Sequence, residues 1–283
     1  MPSNEQRRQA AKRKLERQLA RRAERAKRRR IWGASITAVV VIAAVGLVYW
    51  LVNLGPDNNS EAATSPDDSS TANTSKGACG YKDNPSETPP DGKDVGMPDD
   101  PAETPKTGTV KVTLKTNQGD IPLTLDRAKA PCTVQSMEHL VTKKFFDGTT
   151  CHRLTASAGL KVLQCGDPLG TGAGGPGYSI PDELAAAQKF TPGQSPDGST
   201  QVVTYPRGTV AMANGGANTG GSQFFLVYGD STLPPNYTYF GTVEAAGLTV
   251  LDKIAAGGIT AGQNGPEDGT PKSPVQIKQA VKE

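Results

Sequence analysis

The chain has 283 residues, with 31 Lys or Arg, 28 Asp or Glu, four cysteines, two histidines and 35% apolar residues, a length that holds one or two domains. Its net charge of +3 hides an uneven distribution: residues 1–30 carry thirteen basic side chains against Glu5, Glu16 and Glu24, leaving 18 basic and 25 acidic residues downstream. A basic run of this kind could bind nucleic acid, although the segment that follows it argues otherwise, and the absence of any C-x-x-C pair, with only two histidines, argues against a zinc site.

The basic head ends in Lys27-Arg28-Arg29-Arg30 and runs straight into residues 31–52, which contain no charged side chain. Those 22 residues would make a helix of about 33 Å, enough to cross the hydrocarbon core. Trp32 at one end and Tyr49 with Trp50 at the other suit aromatic belts, and the basic flank places residues 1–30 in the cytoplasm. A cleaved signal peptide would have a shorter apolar core and a small-x-small exit, which Tyr49-Trp50-Leu51-Val52-Asn53 lacks. The reading is therefore a single-pass signal anchor, with the rest of the chain extracytoplasmic and anionic lipid a partner for the basic head.

Residues 53–104 are rich in Pro, Ser, Thr and Asp, with eleven acids against three lysines. Such a composition cannot bury a core, so the stretch reads as a flexible tether with an r.m.s. span of about 40 Å. Outside the cytoplasm thiols oxidise, and Cys79, Cys132, Cys151 and Cys165 allow three complete pairings. Antiparallel pairing of Arg153 with Leu163 would set Cys151 opposite Cys165, which favours that bridge and leaves Cys79 to Cys132.

The remaining residues, 105–283, read as one folded domain. Residues 109–116 and 121–125 alternate apolar and polar about the turn Asn117-Gln118-Gly119-Asp120, predicting a hairpin. Helical spacing follows over 131–142, and a second helix is predicted over 248–256. Further short strands fit 150–154, 162–164, 209–213, 223–227, 239–243 and 275–278, which with the hairpin makes eight. Gly170-Thr171-Gly172-Ala173-Gly174-Gly175 matches a dinucleotide fingerprint, but Pro176-Gly177 stands where a helix should open, so it reads as a surface loop near the site.

Three segments carry the chemistry. The run GTVAMANGGANTGGSQFF over 208–225 joins two strands through glycines and hydrogen-bonding side chains. His152-Arg153-Leu154 and Val162-Leu163-Gln164-Cys165-Gly166-Asp167 form a second pair of strands, and Tyr239-Phe240-Gly241 follows later. In this order and spacing, over about residues 105–283, they resemble the cyclophilin family of peptidyl-prolyl isomerases. The resemblance implies a mainly β fold, a closed eight-stranded antiparallel barrel capped by two helices. It also implies catalysis of rotation about Xaa-Pro bonds in Pro-containing polypeptides, without cofactor or metal; the alternative is a non-catalytic module that holds such segments.

By the same resemblance Arg153 is the catalytic arginine, Gln164 orients it, and Gln223 is another polar group of that face. Phe225 is the floor of the proline pocket, with Val162 and Leu233 as walls, Ala213 and Asn214 offering backbone groups, Tyr237 touching the ring and His152 on the rim. Phe224, on the other face, is the core residue. The lengthened loop 155–161 leaves the family's pocket phenylalanine without an equivalent, and Leu160 is the nearest substitute. Thr232 stands where cyclosporin-sensitive members carry Trp, which implies weaker cyclosporin binding.

Overall fold

The computed structural model describes residues 74–87, 89–195 and 200–283. The basic head and the apolar run 31–52 lie outside the described residues. In chain order the strands begin with β1 (Lys82–Asp83), followed by the expected hairpin of β2 (Thr109–Thr116) and β3 (Asp120–Asp126), which pairs Val112 with Leu123. Alternation sends Val110, Val112 and Leu114 inward together with Ile121, Leu123 and Leu125. Helix α1 (Pro131–Thr142) opens on proline, where the missing N–H costs nothing, and buries Val134, Met137, Leu140 and Val141. The carboxylate of Glu183 accepts the otherwise orphaned N–H groups of Cys132 and Thr133 at 3.1 and 2.8 Å.

Next come β4 (Arg153–Thr155), β5 (Lys161–Cys165), β6 (Tyr178–Ser179), β7 (Pro192–Gln194), β8 (Gln201–Tyr205), β9 (Thr209–Met212) and β10 (Phe224–Gly229). After β11 (Ser231–Leu233) and β12 (Tyr239–Val243), helix α2 (Ala245–Ala256) leads to β13 (Ile259–Gly262), β14 (Gly265–Pro271) and β15 (Ile277–Lys282). Ten of these strands make one sheet in the order β13-β14-β4-β5-β10-β9-β12-β3-β2-β15, while β11-β8-β7 form a separate three-stranded sheet and β1 pairs with β6.

The expected closed eight-stranded barrel is thereby corrected. All eight expected strands are in the large sheet, but the hairpin β13–β14 is added at one end and takes the outer edge of β4, with Asp268 opposite Thr155 and Gly269 opposite Leu154. That edge is the one β15 would need for closure. Instead the far end meets only the approach to β4, through an isolated bridge between Thr150 and Gln276 and the bonds Cys151 N–H to Val275 O (2.9 Å) and Ile277 N–H to Thr149 O (2.8 Å).

Alternation along the central strands builds two apolar clusters. Phe224, Leu226, Leu163, Val210 and Met212 face the main core, where Phe146 meets Phe224 edge-on at 5.6 Å. Phe225, Val227, Val162 and Ala211 face the other way and are covered by Val203 and Tyr205 of β8. The second cluster carries the site.

The tether expected over 53–104 is corrected in its described part, from residue 74 on. Tyr81 is wholly buried, donates its hydroxyl to the Cys132 carbonyl at 2.8 Å and packs edge-on against Tyr178. The Lys93 ammonium donates to the carbonyls of Lys144, Phe145 and Asp147, and Asp100 accepts the N–H groups of Cys79 and Gly80. Composition misleads here because a handful of anchors, rather than an average hydropathy, holds this strap down. Both expected disulfides are present, Cys79–Cys132 and Cys151–Cys165. The register behind the second is one residue off the expected one: Arg153 faces Gln164, and Leu154 faces Leu163.

The Cys79–Cys132 bridge closes a 53-residue separation, for which bridges are typically worth about 2 to 4 kcal/mol. Replacing both cysteines by serine should lower the urea midpoint accordingly and open residues 74–104 to limited proteolysis. An unchanged midpoint with an uncut strap would show that the noncovalent anchors suffice.

Candidate active site

Pairing across four strands puts the residues of the site in one row. Arg153 on β4 lies opposite Gln164 on β5, Gln164 opposite Phe225 on β10, and Phe225 opposite Ala211 on β9. Residues directly opposite each other share a face, so this row lies on the second cluster's side of the sheet.

Arg153 is held from two directions. Its Nε and Nη2 donate to the two carboxylate oxygens of Asp268, both at 2.8 Å, and its Nη1 donates to Gln164 Oε1 at 3.2 Å. Gln164 Nε2 donates to Gln223 Oε1 at 3.0 Å, and Gln223 Nε2 donates to the carbonyls of Gly172 and Gly174 at 3.0 and 2.9 Å. The chain of bonds thus starts on β14 and ends on the loop 168–177. A guanidinium has five N–H donors; these three bonds use three of them and orient the others.

The hydrogen bond to Asp268, opposed by burial and aided by its charge, raises the Arg153 pKa further above its ordinary value. Asp268 is in turn held below the usual carboxylate range, chiefly by Arg153 and then by Asn264. The two side chains keep 35% and 21% of their exposure, so the pair is only partly shielded from water and its main effect is positional.

Beside the guanidinium is a cavity of about 210 Å³, smaller than the roughly 300 to 1,000 Å³ of ligand clefts and suited to one side chain. Phe225, Val162, Leu160, Leu233 and Tyr237 supply its apolar lining; Arg153, Gln164, Ala213 and Asn214 complete it. Phe225 and Tyr237 meet edge-on at 5.5 Å. Behind them Tyr205 donates its hydroxyl to the carbonyls of Pro234 and Tyr237 at 3.3 and 3.1 Å, pinning the segment that carries Tyr237. Burial pushes the Tyr205 hydroxyl up to about 12, so it remains a donor.

The loops around this cavity meet at Gly166, with φ +92°, where a Cβ would collide with the Ser222 carbonyl. Only glycine permits both that backbone angle and that approach. Ser222 Oγ then donates to the Gly166 carbonyl at 2.7 Å, setting Gln223 beside Gln164.

A family model, "Cyclophilin type peptidyl-prolyl cis-trans isomerase/CLD", matches residues 111–282. The chain is 44% identical over 299 aligned residues to a protein of Mycobacterium leprae named "Probable peptidyl-prolyl cis-trans isomerase B", covering 98% of each. It is 46% identical to the protein of the same name from Mycobacterium tuberculosis strain H37Rv, covering 99% of this chain and 94% of that one. A Helicobacter pylori peptidyl-prolyl cis-trans isomerase is 40% identical over 53% of this chain and 83% of its own. The chain belongs to the cyclophilin-type peptidyl-prolyl isomerases. It is accordingly an enzyme of that class.

Nine of the eleven residues expected at a cyclophilin site line the cavity: Arg153, Leu160, Val162, Gln164, Ala213, Asn214, Phe225, Leu233 and Tyr237. Gln223 is one bond away, lining the neighbouring cavity. His152 does not line it. It precedes β4, and its ring lies beside Gly172 and near Asp167, where both ring nitrogens are buried without a hydrogen-bond partner among the described residues. Burial lowers its pKa, Asp167 opposes that shift and Arg153 adds to it, so the ring is neutral at neutral pH. One further expectation is narrowed: the Ala213 N–H already donates to the Gln223 carbonyl at 2.9 Å.

Two residues of this site were not among the expected ones. Asp268 lies in GPEDGTP, which has no apolar alternation to mark a strand, and Tyr205 ends a strand, QVVTY, hidden among Gly, Pro and Ser. For Asp268 the available signal was the general need of a half-buried arginine for a carboxylate.

Asp268→Asn keeps the shape but weakens a charge-assisted bidentate bond, whose members are worth about 1.5 to 3 kcal/mol each. We expect kcat/KM to fall by roughly tenfold with an unchanged circular dichroism spectrum. A rate equal to that of the parent protein would show that Gln164 alone sets the arginine.

Proposed function

We propose that the chain is a membrane-tethered isomerase that rotates Xaa-Pro bonds in exported polypeptides as they fold. The observation that carries the catalytic part is the fixed Arg153 guanidinium at the rim of a small aromatic cavity. Xaa-Pro rotation must lose amide resonance, over a barrier of about 18 to 20 kcal/mol, and needs neither nucleophile nor metal. A proline ring seated against Phe225, between Val162 and Leu233, is held while the rest of the peptide turns. The remaining Arg153 N–H groups then serve the proline-side carbonyl and the imide nitrogen, whose lone pair becomes an acceptor only as conjugation breaks. An interaction that strengthens in the twisted state lowers the barrier rather than merely tightening binding.

The tether rests on the sequence. Residues 31–52 are apolar over a bilayer's thickness, the preceding basic run favours a cytoplasmic amino terminus, and two disulfides suit an oxidising compartment. Anionic lipid is the proposed partner of residues 1–30, with no role for nucleic acid. Weak cyclosporin binding stays part of the proposal: Thr232, whose N–H donates to the Gly159 carbonyl at 2.8 Å, packs its methyl group toward Gly193 and supplies no indole donor.

Arg153→Ala should lower kcat/KM on a proline peptide by about 10²- to 10³-fold, the usual cost of removing one aligned transition-state donor. Retained binding of the peptide with no turnover in the parent protein would instead favour a holding module. The full chain should stay in the membrane fraction through alkaline washing, and a chain lacking residues 1–52 should be released. Because no proton is transferred, the rate should be level across pH 6.5 to 9. Asp268 is charged throughout that range, since its carboxyl lies below the ordinary value of about 3.9, and His152 is neutral, since burial lowers it from about 6.5.

A further inference from the structure

A second cavity, of about 170 Å³, adjoins the first and shares Gln164, Ala213 and Asn214 with it. Among its lining residues Glu87 is the single charged one. Glu87 lies outside the segment matched by the family model and comes from the strap, at the end of a 3₁₀ turn, Pro85–Glu87.

Its position is fixed by backbone contacts. β1 pairs with β6, setting Lys82 opposite Ser179 and Asp83 opposite Tyr178, and the Asn84 N–H donates to the Gly177 carbonyl at 2.8 Å. The carboxylate rests on the glycine-rich loop, where a Cβ at Gly175 would collide with it and one at Gly221 would come within 3.0 Å of Oε2. Burial and the nearby charge of Asp167 both push the Glu87 carboxyl up, so this wall is short of positive charge. Asp167 cannot relieve it: burial opposes its own charge, but the N–H groups of Leu169, Gly172, Thr171 and Gly174 outweigh that and hold it ionised.

An extended peptide advances about 3.3 Å per residue, so a chain with its proline in the first cavity passes the second within a few residues. The walls between are small or polar, which suits a long aliphatic stem ending in a charge better than a bulky apolar side chain. Resting on the isomerase reading above, we propose that Glu87 makes this adjoining cavity a subsite for a cationic side chain, Lys or Arg, within three residues of the target proline.

The test uses the full chain and proline peptides carrying Lys, Glu or Ala at each of the three positions on either side of the proline. At one position the Lys peptide should exceed the Glu peptide in kcat/KM by about three- to tenfold at low ionic strength, and the ratio should shrink in high salt. Glu87→Gln should bring the ratio close to one and Glu87→Lys should invert it. A ratio unmoved by both substitutions, or no preference at any position in the parent protein, overturns the subsite. If the alanine peptide is not accelerated at all, the isomerase reading fails instead; calorimetric titration of the Lys and Glu peptides into the parent and Glu87→Gln proteins then decides the subsite by affinity.

Discussion

Arg153 has a long side chain that, left alone at a sheet edge, would lose roughly 2 kcal/mol of rotamer freedom each time it met a substrate. The two bonds to Asp268 and the one to Gln164 remove that freedom in the free protein. In the proposed mechanism, a donor set that is already aligned strengthens its contact with the twisted bond without first having to reorganise. Everything else at the site serves this alignment: β5 and β10 place Gln164 and Phe225 in register with the arginine, and Gln223 fastens the glutamine to the loop beyond.

The same arrangement explains why the sheet does not close. The β13–β14 hairpin occupies the edge of β4 that closure would need, and it is this hairpin that carries Asp268. The strap adds a second contribution. Its disulfide, Tyr81 and the β1–β6 pairing hold Glu87 at the second cavity, so two segments outside the expected eight strands each deliver a carboxylate, one to Arg153 and one to the adjoining cavity.

Periodicity made much of this legible. The β2–β3 hairpin and α1 stand where alternation and helical spacing predicted them, because each presents one apolar face to one core. Phe224 and Phe225 divide between core and site as adjacent strand residues must. What escaped reading is held together by means other than alternation. β14 is a strand of Gly, Pro and acidic residues without apolar alternation, and the strap is an acidic, proline-rich stretch secured by a few anchors. Cooperation between Asp268 and Arg153, 115 positions apart, leaves no local pattern in either segment. His152, expected on the rim, is not among the residues that line the cavity beside Arg153; its ring lies beside Gly172 instead.

The most direct test is a double-mutant cycle on kcat/KM for proline isomerisation, comparing the parent protein, Asp268→Asn, Arg153→Ala and the two combined. If Asp268 acts by positioning the guanidinium, its substitution should cost about tenfold in the parent background and almost nothing once Arg153 is alanine. A loss of the same size in both backgrounds would contradict the account, placing the effect of Asp268 elsewhere than on Arg153.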